Sequence, residues 1–463
     1  MKPQRDWKFL IKFAAVVIGA AVYLLGIYLS FYLKFSGQIP MRNFNAFTAS
    51  YPWLVLGFIL INILFGTYIF YNKSYLDIFY FTLLSQTFLT VYQMALTYAG
   101  SWITYPRSVV MINLGVGTLV MFAYNALVYW IYHRLRGQVK ILVVGPSDRA
   151  LEAVGNFSRM ANKRHQVTHV VLANYYDNVV KWANQVDTVY LTGHIPEPER
   201  IKIYEYLMKE HKQLFVSTEF QNLMMVNTNI MSFEDESIIE TSPFSLSAED
   251  AFFKRLLDMA VSAILLIIAS PIMLLTMAAI KLDSPGPIFY KQERITLGQR
   301  PFNILKFRSM SATAEKDSGP VLAAANDSRI TRVGKIIRST RIDELPQLIN
   351  VLRGDMSLVG PRPERPFFVD QFTMQNPYYA LRHHVRAGIT GYAQVYGKYS
   401  TDFNSKLNFD LLYIKKYSLG FDIKLLFQTI KILFDKVSAR GVDESLVTPP
   451  QWEDYQHLTI IEH

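Results

Sequence analysis

Apolar residues are bunched along this chain. Four runs fill its first third, at residues 13–32, 53–71, 78–98 and 109–132. Each has roughly the 20 residues that a helix needs to cross a bilayer core. The third is the least apolar, with Ser85, Gln86, Thr87 and Gln93 inside it. Trp53, Trp102 and Trp130 stand near run ends, where an indole sits well between lipid and water. Buried core helices are the competing reading, and the aromatic ends favour spans. The first run is longer than a signal-peptide core and lacks a small-residue cleavage site, so a retained span is expected.

Positive charge orients these spans. Lys2, Arg5, Lys8 and Lys12 precede the first, Lys73 lies between the second and third, and Arg134, Arg136 and Lys140 follow the fourth. The opposite loops carry only Lys34, Arg42 and Arg107. The positive-inside rule then places the N-terminus and everything after the fourth span in the cytoplasm, which predicts a multi-pass protein of the bacterial inner membrane.

A fifth apolar run, residues 256–282, has Lys254 and Arg255 before it, Lys281 near its end and Ser270-Pro271 in its middle. Proline removes a helix hydrogen bond and clashes with the preceding turn. The half before the break is only about 21 Å long at 1.5 Å per residue, short for a crossing. We read residues 254–282 as a re-entrant helix broken at Ser270 and Pro271, with Ser270 helping to satisfy the freed backbone. A simple kinked span is the alternative.

Between the membrane runs the periodicity changes. KILVVG (140–145), HVVLAN (169–174), DTVYLTG (187–193) and LFVST (214–218) are strand-like, with a helical pattern over 196–211. Ser147 reads as a helix cap. Alternating strand and helix predicts a parallel α/β sheet. Gly145 falls where a dinucleotide site has its first glycine, but the rest of GxGxxG is absent, which favours a Rossmann-like module for regulation or assembly. The acidic stretch 233–250 reads as a linker.

Composition narrows the field. Hydrophobic residues make up 51% and charged residues 18%, so much of the chain belongs in lipid. Cysteine is absent, which excludes disulfides, thiolate metal sites and a cysteine nucleophile. With this hydrophobicity, the net charge of +10 points to lipid head groups and phosphorylated substrates rather than nucleic acid.

Candidate chemistry gathers after residue 283. Lys306 and Arg308 are two apart in FNILKFRSM, on one face if this is a strand. Arg332, Lys335, Arg338 and Arg341 recur at near-helical spacing and lead to Asp343-Glu344. Cations can neutralise phosphates, one carboxylate can hold Mg²⁺ and the other can act as a nucleophile. A salt-bridged surface helix is the plainer reading of the same spacing. Leu345, Leu348, Ile349 and Leu352 form an apolar stripe beside the carboxylates. Gly354 fits a helix C-cap, and GPRP (360–363) forms a rigid loop able to present Arg362 to a phosphate. His383-His384 reads as an ordinary surface pair, because adjacent residues share no face.

In order, Ser270-Pro271, SPGPIF, KFRSM, R-x₄-DELPQL, LRGDMSLVGPRPE and RAGITGYAQVYG resemble the bacterial sugar transferase family over residues 252–434. These are monotopic polyprenyl-phosphate phosphoglycosyl transferases of capsule and exopolysaccharide synthesis. Four N-terminal spans and a Rossmann-like module are similar to the family's long form. The resemblance implies a re-entrant helix and transfer of a hexose-1-phosphate from a UDP-sugar to undecaprenyl phosphate, with release of UMP. Asp343 is then the nucleophile that carries the phosphosugar, Glu344 binds Mg²⁺, and Arg338 binds a phosphate. Lys306, Arg308, Arg362 and Gln394 help hold the substrates, and Asp422 matches a further acidic position assigned to the metal. Asp410 is the weaker candidate for that position. The chain departs from the family at QERITLGQR, at Tyr392 where tryptophan is common and at Tyr396 where asparagine is common. Donor identity, glucose or galactose as first expectation, rests partly on that last segment.

The expected architecture is an α-helical membrane domain (1–137), a Rossmann-like α/β domain (138–232), a linker (233–250) and an α+β catalytic domain (251–463). A homodimer and other polysaccharide-assembly proteins are expected partners. Two other functions are weighed. A transferase passing a sugar without its phosphate normally shows an Asp-x-Asp motif, not found in the cytoplasmic part. A non-enzymatic membrane scaffold would show no turnover alone.

Overall fold

The computed structural model describes residues 6–68, 74–100, 105–136, 138–160, 164–311, 329–397, 402–433 and 451–462. Lys2, Arg5, Lys73 and Trp102 lie outside these residues, as do the side chains of Lys8, Lys12 and Arg136. The chain forms two compact units, one of Met1–Val216 with Pro450–His463 and one of Ser217–Pro449.

The first unit begins with four helices, α1 (Asp6–Lys34), α2 (Met41–Phe65), α3 (Tyr75–Ala99) and α4 (Arg107–Arg136). Ser74 and Asp77 form a reciprocal capping box that starts α3, and left-handed Gly66 ends α2. Tyr23, Phe31, Phe47, Leu54 and Phe58 are buried between helices, whereas Val17, Leu60, Ile63 and Leu119 are exposed. Buried polar groups lie among them, with Asn125 Nδ2 donating to Thr82 Oγ1 at 2.9 Å. Apolar side chains outside and amides inside is the arrangement that lipid selects. α1, α2 and α4 are long and apolar enough to cross a membrane. α3 is as long as α2 but spends apolarity on Thr82, Ser85, Gln86, Thr90 and Gln93, all turned into the bundle. The chain is thus a multi-pass membrane protein.

The same unit continues as β1 (Val139–Val144), α5 (Ser147–Ser158), β2 (His165–Val171), α6 (Tyr175–Trp182), β3 (Thr188–Leu191), α7 (Glu197–Lys209) and β4 (Gln213–Val216). A C-terminal strand, Thr459–Ile461, joins the edge of β2, giving the parallel order C-terminal strand–β2–β1–β3–β4. Sequence reading missed this fifth strand because its three residues show no periodicity. Ser147 is the first helical residue and not the cap; its Oγ accepts a hydrogen bond from Trp452 Nε1 at 3.0 Å. The Gly145 turn has no room for a side chain, since a Cβ there would meet the Thr192 carbonyl.

The second unit opens with α8 (Phe220–Met224) and a hairpin of β5 (Thr228–Phe233) and β6 (Glu236–Thr241). Residues 233–250, expected to be a linker, therefore contain a paired strand, and Phe244 is buried in a stack on Phe220. Of the acidic side chains that suggested a linker, Glu234, Asp235, Glu236 and Glu240 sit on the exposed hairpin and Glu249 and Asp250 in the first turn of the next helix. Ser247 then caps α9 (Ala248–Asp283), its Oγ accepting from Asp250 N at 3.0 Å.

α9 is assigned as one continuous helix of 36 residues with Pro271 inside it, not as two helices. Proline leaves the carbonyl four residues back, that of Ile267, without its helical donor. Ser270 Oγ donates to that same carbonyl at 2.8 Å. Lys254, Asp258 and Ser262 are buried near one end of α9 and Met273, Thr276 and Ile280 towards the other. Ile264, Ile267, Ile268, Leu274 and Leu275 are exposed.

The remainder is an antiparallel ribbon of β7 (Phe289–Ile295) and β8 (Pro301–Phe307), then α10 (Arg332–Ser339), α11 (Gln347–Arg353), β9 (Ser357–Val359), α12 (Pro366–Gln375), β10 (Gly388–Thr390), α13 (Tyr392–Tyr396), α14 (Phe403–Lys415) and α15 (Leu419–Leu433). β9 and β10 pair in parallel, so close that a Cβ on Gly388 would meet the Gly360 backbone. Gly354, at φ +94°, caps α11 as expected. Asn350, fully buried on α11, accepts from Leu305 N at 2.9 Å and donates to Asn303 O at 2.9 Å. It ties β8 to α11. Asn350→Ala orphans the buried Leu305 N–H and removes a donor from the part-buried Asn303 carbonyl, so a loss of about 2 kcal/mol is expected. Thermal unfolding in detergent checks it.

Candidate active site

Asp343 and Glu344 lie in a single 3-10 turn, Ile342–Glu344, between α10 and α11. The sequence stripe suggested one helix. Instead Arg341 turns the chain in the left-handed region at φ +58°, and the cationic and apolar stripes belong to two helices. This turn frees both carboxylates from a helical surface.

Three cations converge on Glu344 Oε1. Arg362 Nη2 stands at 3.1 Å, Lys306 Nζ at 3.3 Å and Arg341 Nη1 at 3.8 Å. Burial alone would raise this carboxyl, but Lys306, Arg362 and Arg341 outweigh it and hold it well below the usual carboxylate range. Asp343 goes the other way. Burial and the adjacent Glu344 charge push it up to about 6, against the pull of Lys306, Arg341 and Arg338. Its Oδ1 is buried and has no hydrogen-bond partner among the described residues. One carboxylate is locked in its ionised form and its neighbour is left with an unused, more basic oxygen.

Lys306 and Arg362 thus reach the carboxylate pair, and Arg338, on α10, is close enough to act on Asp343 electrostatically. Arg308 does not join them. The strand ends at Phe307, and Arg308 turns back, buried, to donate from Nη1 to Pro285 O at 2.8 Å and from Nη2 to Ser284 O at 2.7 Å. It pins the exit of α9, and these hydrogen bonds are made away from Glu344. Asp422, the expected second metal ligand, has both oxygens engaged within the unit. Its Oδ2 is ion-paired to Lys254 and its Oδ1 accepts from Tyr413 Oη at 2.7 Å. Asp410 is buried against Arg382, at 2.7 Å. Gln394 keeps both amide atoms buried without a hydrogen bond among the described residues, as a side chain awaiting a ligand would.

No three His, Asp or Glu side chains gather around a common point among the described residues. Mg²⁺ does not require that, because it is commonly held by one or two carboxylates with substrate phosphates and water completing its shell. Ionised Glu344 is a carboxylate of that kind.

Two contributors escaped sequence reading. Arg341 was counted in the cationic run without a role, and Arg382 was overlooked beside the two histidines. His383 is not a surface residue: it is 4% exposed, and neither ring nitrogen has a partner among the described residues. Burial first, then Arg382 and His384, lowers it to about 3. The unfolded chain takes up this proton near pH 6.5 and the folded chain only near 3. Stability from neutral His383 is therefore complete above about 6.5 and falls as pH drops towards 3. At pH 5 the loss is about 2 kcal/mol. His383→Phe should flatten the fall in thermal midpoint between pH 7.5 and 5.

The model of the family described as bacterial sugar transferase matches residues 249–436. A UDP-glucose:undecaprenyl-phosphate glucose-1-phosphate transferase of Caulobacter vibrioides is 45% identical over 187 residues, 39% of this chain and 69% of that protein. The chain belongs to the bacterial sugar transferase family. A UDP-N-acetylgalactosamine-undecaprenyl-phosphate N-acetylgalactosaminephosphotransferase of Aeromonas hydrophila is 48% identical over 193 residues, 41% of this chain and 45% of that protein. A UDP-glucose:undecaprenyl-phosphate glucose-1-phosphate transferase of Klebsiella pneumoniae is 36% identical over 253 residues, 53% and 54% of the two chains. The chain thus spans about half the length of these last two relatives. The family match contains the whole carboxylate site, from Lys306 to Gln394, and all but the first residue of α9.

Proposed function

We propose that this sugar transferase moves a hexose-1-phosphate from a UDP-sugar to undecaprenyl phosphate at the inner membrane, opening capsule or exopolysaccharide synthesis. The observation that carries the reading is the divided carboxylate pair: Glu344 held ionised by three cations, Asp343 raised to about 6 with a buried oxygen that has no hydrogen-bond partner among the described residues. A carboxylate of that basicity is mostly ionised at neutral pH and more nucleophilic than an ordinary one. Asp343 attacks the sugar-linked phosphorus, an Asp343 O–P bond forms, and the P–O bond to UMP breaks. UMP leaves with the bonding pair. An oxygen of undecaprenyl phosphate then attacks the same phosphorus, the Asp343 O–P bond breaks, and the carboxylate is restored. Bound Mg²⁺ would supply charge neutralisation at the diphosphate, with Glu344 as the carboxylate to hold it. Lys306, Arg338, Arg341 and Arg362 balance the phosphate charge, and Gln394 contributes its unused amide to the donor.

The polyprenyl substrate requires this site at the bilayer surface. Asp258 Oδ1 accepts from Leu358 N at 2.9 Å, and beyond Pro271 Asp283 Oδ2 accepts from Val333 N at 3.2 Å. Residues on both sides of Pro271 are therefore anchored to the same unit, although at 36 residues α9 could cross. That supports a re-entrant helix, with the catalytic unit on the cytoplasmic side along with the N-terminus. The family relatives named for UDP-glucose and UDP-N-acetylgalactosamine define the donors to try.

The test is nucleotide release by the purified full-length protein with UDP-glucose, UDP-galactose or UDP-N-acetylgalactosamine, undecaprenyl phosphate and Mg²⁺. UMP with a sugar-diphospholipid is expected. UDP as product would replace this reading by transfer of the sugar alone, and no turnover with any donor would favour a scaffold.

A further inference from the structure

The Arg362 that meets Glu344 is itself held from behind. Arg382 Nη2 donates to the Arg362 carbonyl at 2.8 Å. The same guanidinium donates from Nε to Asp410 Oδ2 at 2.9 Å and from Nη1 to Tyr379 Oη at 2.7 Å, and its Nη2 stands 2.7 Å from Asp410 Oδ2. Arg382 and Asp410 are 4% and 1% exposed. Burial pushes the Asp410 carboxyl up, and Arg382 opposes that push.

A buried ion pair is a poor way to gain stability, since removing both charges from water costs as much as their attraction returns. It is a good way to fix geometry, because a planar guanidinium with several donors determines the place of every acceptor it meets. Neither Arg382 nor Asp410 reaches the carboxylate pair through any contact described above. What they do reach is the backbone of the residue that does. The flanking chain is laced down as well: Arg294 Nη1 donates to Pro363 O at 3.1 Å, and Gly360 N to Thr390 O at 2.8 Å. Arg362 sits between these ties, and its own carbonyl is taken by Arg382.

The geometry points to Arg382 and Asp410 as a positioning pair that sets the Arg362 guanidinium against Glu344. Through that contact they govern the charge available to the donor diphosphate. Without them, the Arg362 carbonyl loses its charged donor and the guanidinium swings over a wider arc. Misplacing a charge by about 1 Å is enough to cost on the order of a hundredfold in rate. A partial loss, about tenfold to thirtyfold in kcat, is expected here because the other ties remain.

This inference rests on the proposed reaction, and a wild type that releases UMP establishes that reaction first. The experiment is a double-mutant cycle on the full-length protein in detergent, with UMP release as readout. Arg382→Met, Arg362→Ala and their combination should each lower kcat by a similar factor, with KM for the UDP-sugar moved less than threefold. A structural defect would instead multiply with Arg362→Ala, and multiplied effects overturn the proposal. Arg382→Met/Asp410→Leu removes both charges and should keep the thermal midpoint near wild type while kcat stays low; wild-type kcat in this variant also overturns it. Should those proteins fail to fold, Arg382→Lys, which cannot span Asp410, Tyr379 and the Arg362 carbonyl together, must show the same non-additivity with Arg362→Ala. Phenylglyoxal labelling of Arg362, read by mass spectrometry, needs no turnover. It should rise severalfold in Arg382→Met or Arg382→Lys, and unchanged labelling overturns the proposal even if the wild type proves inactive.

Discussion

Asp343→Asn should lower UMP release by at least about a thousandfold, because removing a nucleophile forfeits the covalent route and not merely one favourable contact. The substitution keeps the size and most polarity of the side chain, so the turn should persist. Arg341 still reverses the chain, and Glu344 keeps its three cations. Donor affinity should therefore survive, and a loss of kcat without a comparable rise in KM separates a missing nucleophile from a damaged site. Glu344→Gln has a different signature. It leaves Lys306, Arg341 and Arg362 without their shared carboxylate, so substrate and Mg²⁺ dependence should change together. The discriminating measurement is intact-protein mass spectrometry after incubation with UDP-sugar alone. Wild type should gain one hexose phosphate and Asp343→Asn none. An undiminished Asp343→Asn enzyme would remove the aspartate from the mechanism.

Features written locally in the sequence were legible. Apolar runs announced the membrane helices, and proline with serine at 270–271 announced the freed Ile267 carbonyl and its new donor. Alternating strands announced the parallel sheet, and Gly354 the end of α11. Lys306, Arg362 and the carboxylates were likewise found together in space. What failed was partnership. Lys306 and Arg308 are two residues apart, yet one faces Glu344 and the other the exit of α9, because the strand stops between them. Asp422 looked like a ligand because its partner Lys254 is 168 residues away. Arg382 carried no signal, since its role depends on Asp410 and on a backbone carbonyl. The cationic stripe read as one helix because periodicity cannot register a single left-handed residue, Arg341. The polar residues of α3 weakened a span on paper and are its inward face in the bundle.

Lys254→Met should strongly destabilise the catalytic unit, and it decides what Asp422 is for. The pair joins α9 to α15, with side-chain exposures of 6% and 1%. Burial raises the Asp422 carboxyl, and Lys254 and Tyr413 oppose it. Removing the lysine leaves a buried carboxylate with only a phenol, a loss of about 3–5 kcal/mol. Replacing both groups by apolar residues of similar volume is commonly neutral or better. Lys254→Met/Asp422→Leu should therefore recover most of the midpoint lost by Lys254→Met alone, read by thermal unfolding in detergent. If Asp422 is structural, the double variant also recovers UMP release, to within about threefold, and its Mg²⁺ requirement matches wild type. If Asp422 instead held the metal in the working enzyme, the double variant would fold and remain inactive. The contacts to Lys254 and Tyr413 would then describe a resting arrangement that opens on substrate binding. The first outcome follows from the geometry: both oxygens of Asp422 are already engaged, one by a cation on α9, so its charge fastens α9 to α15.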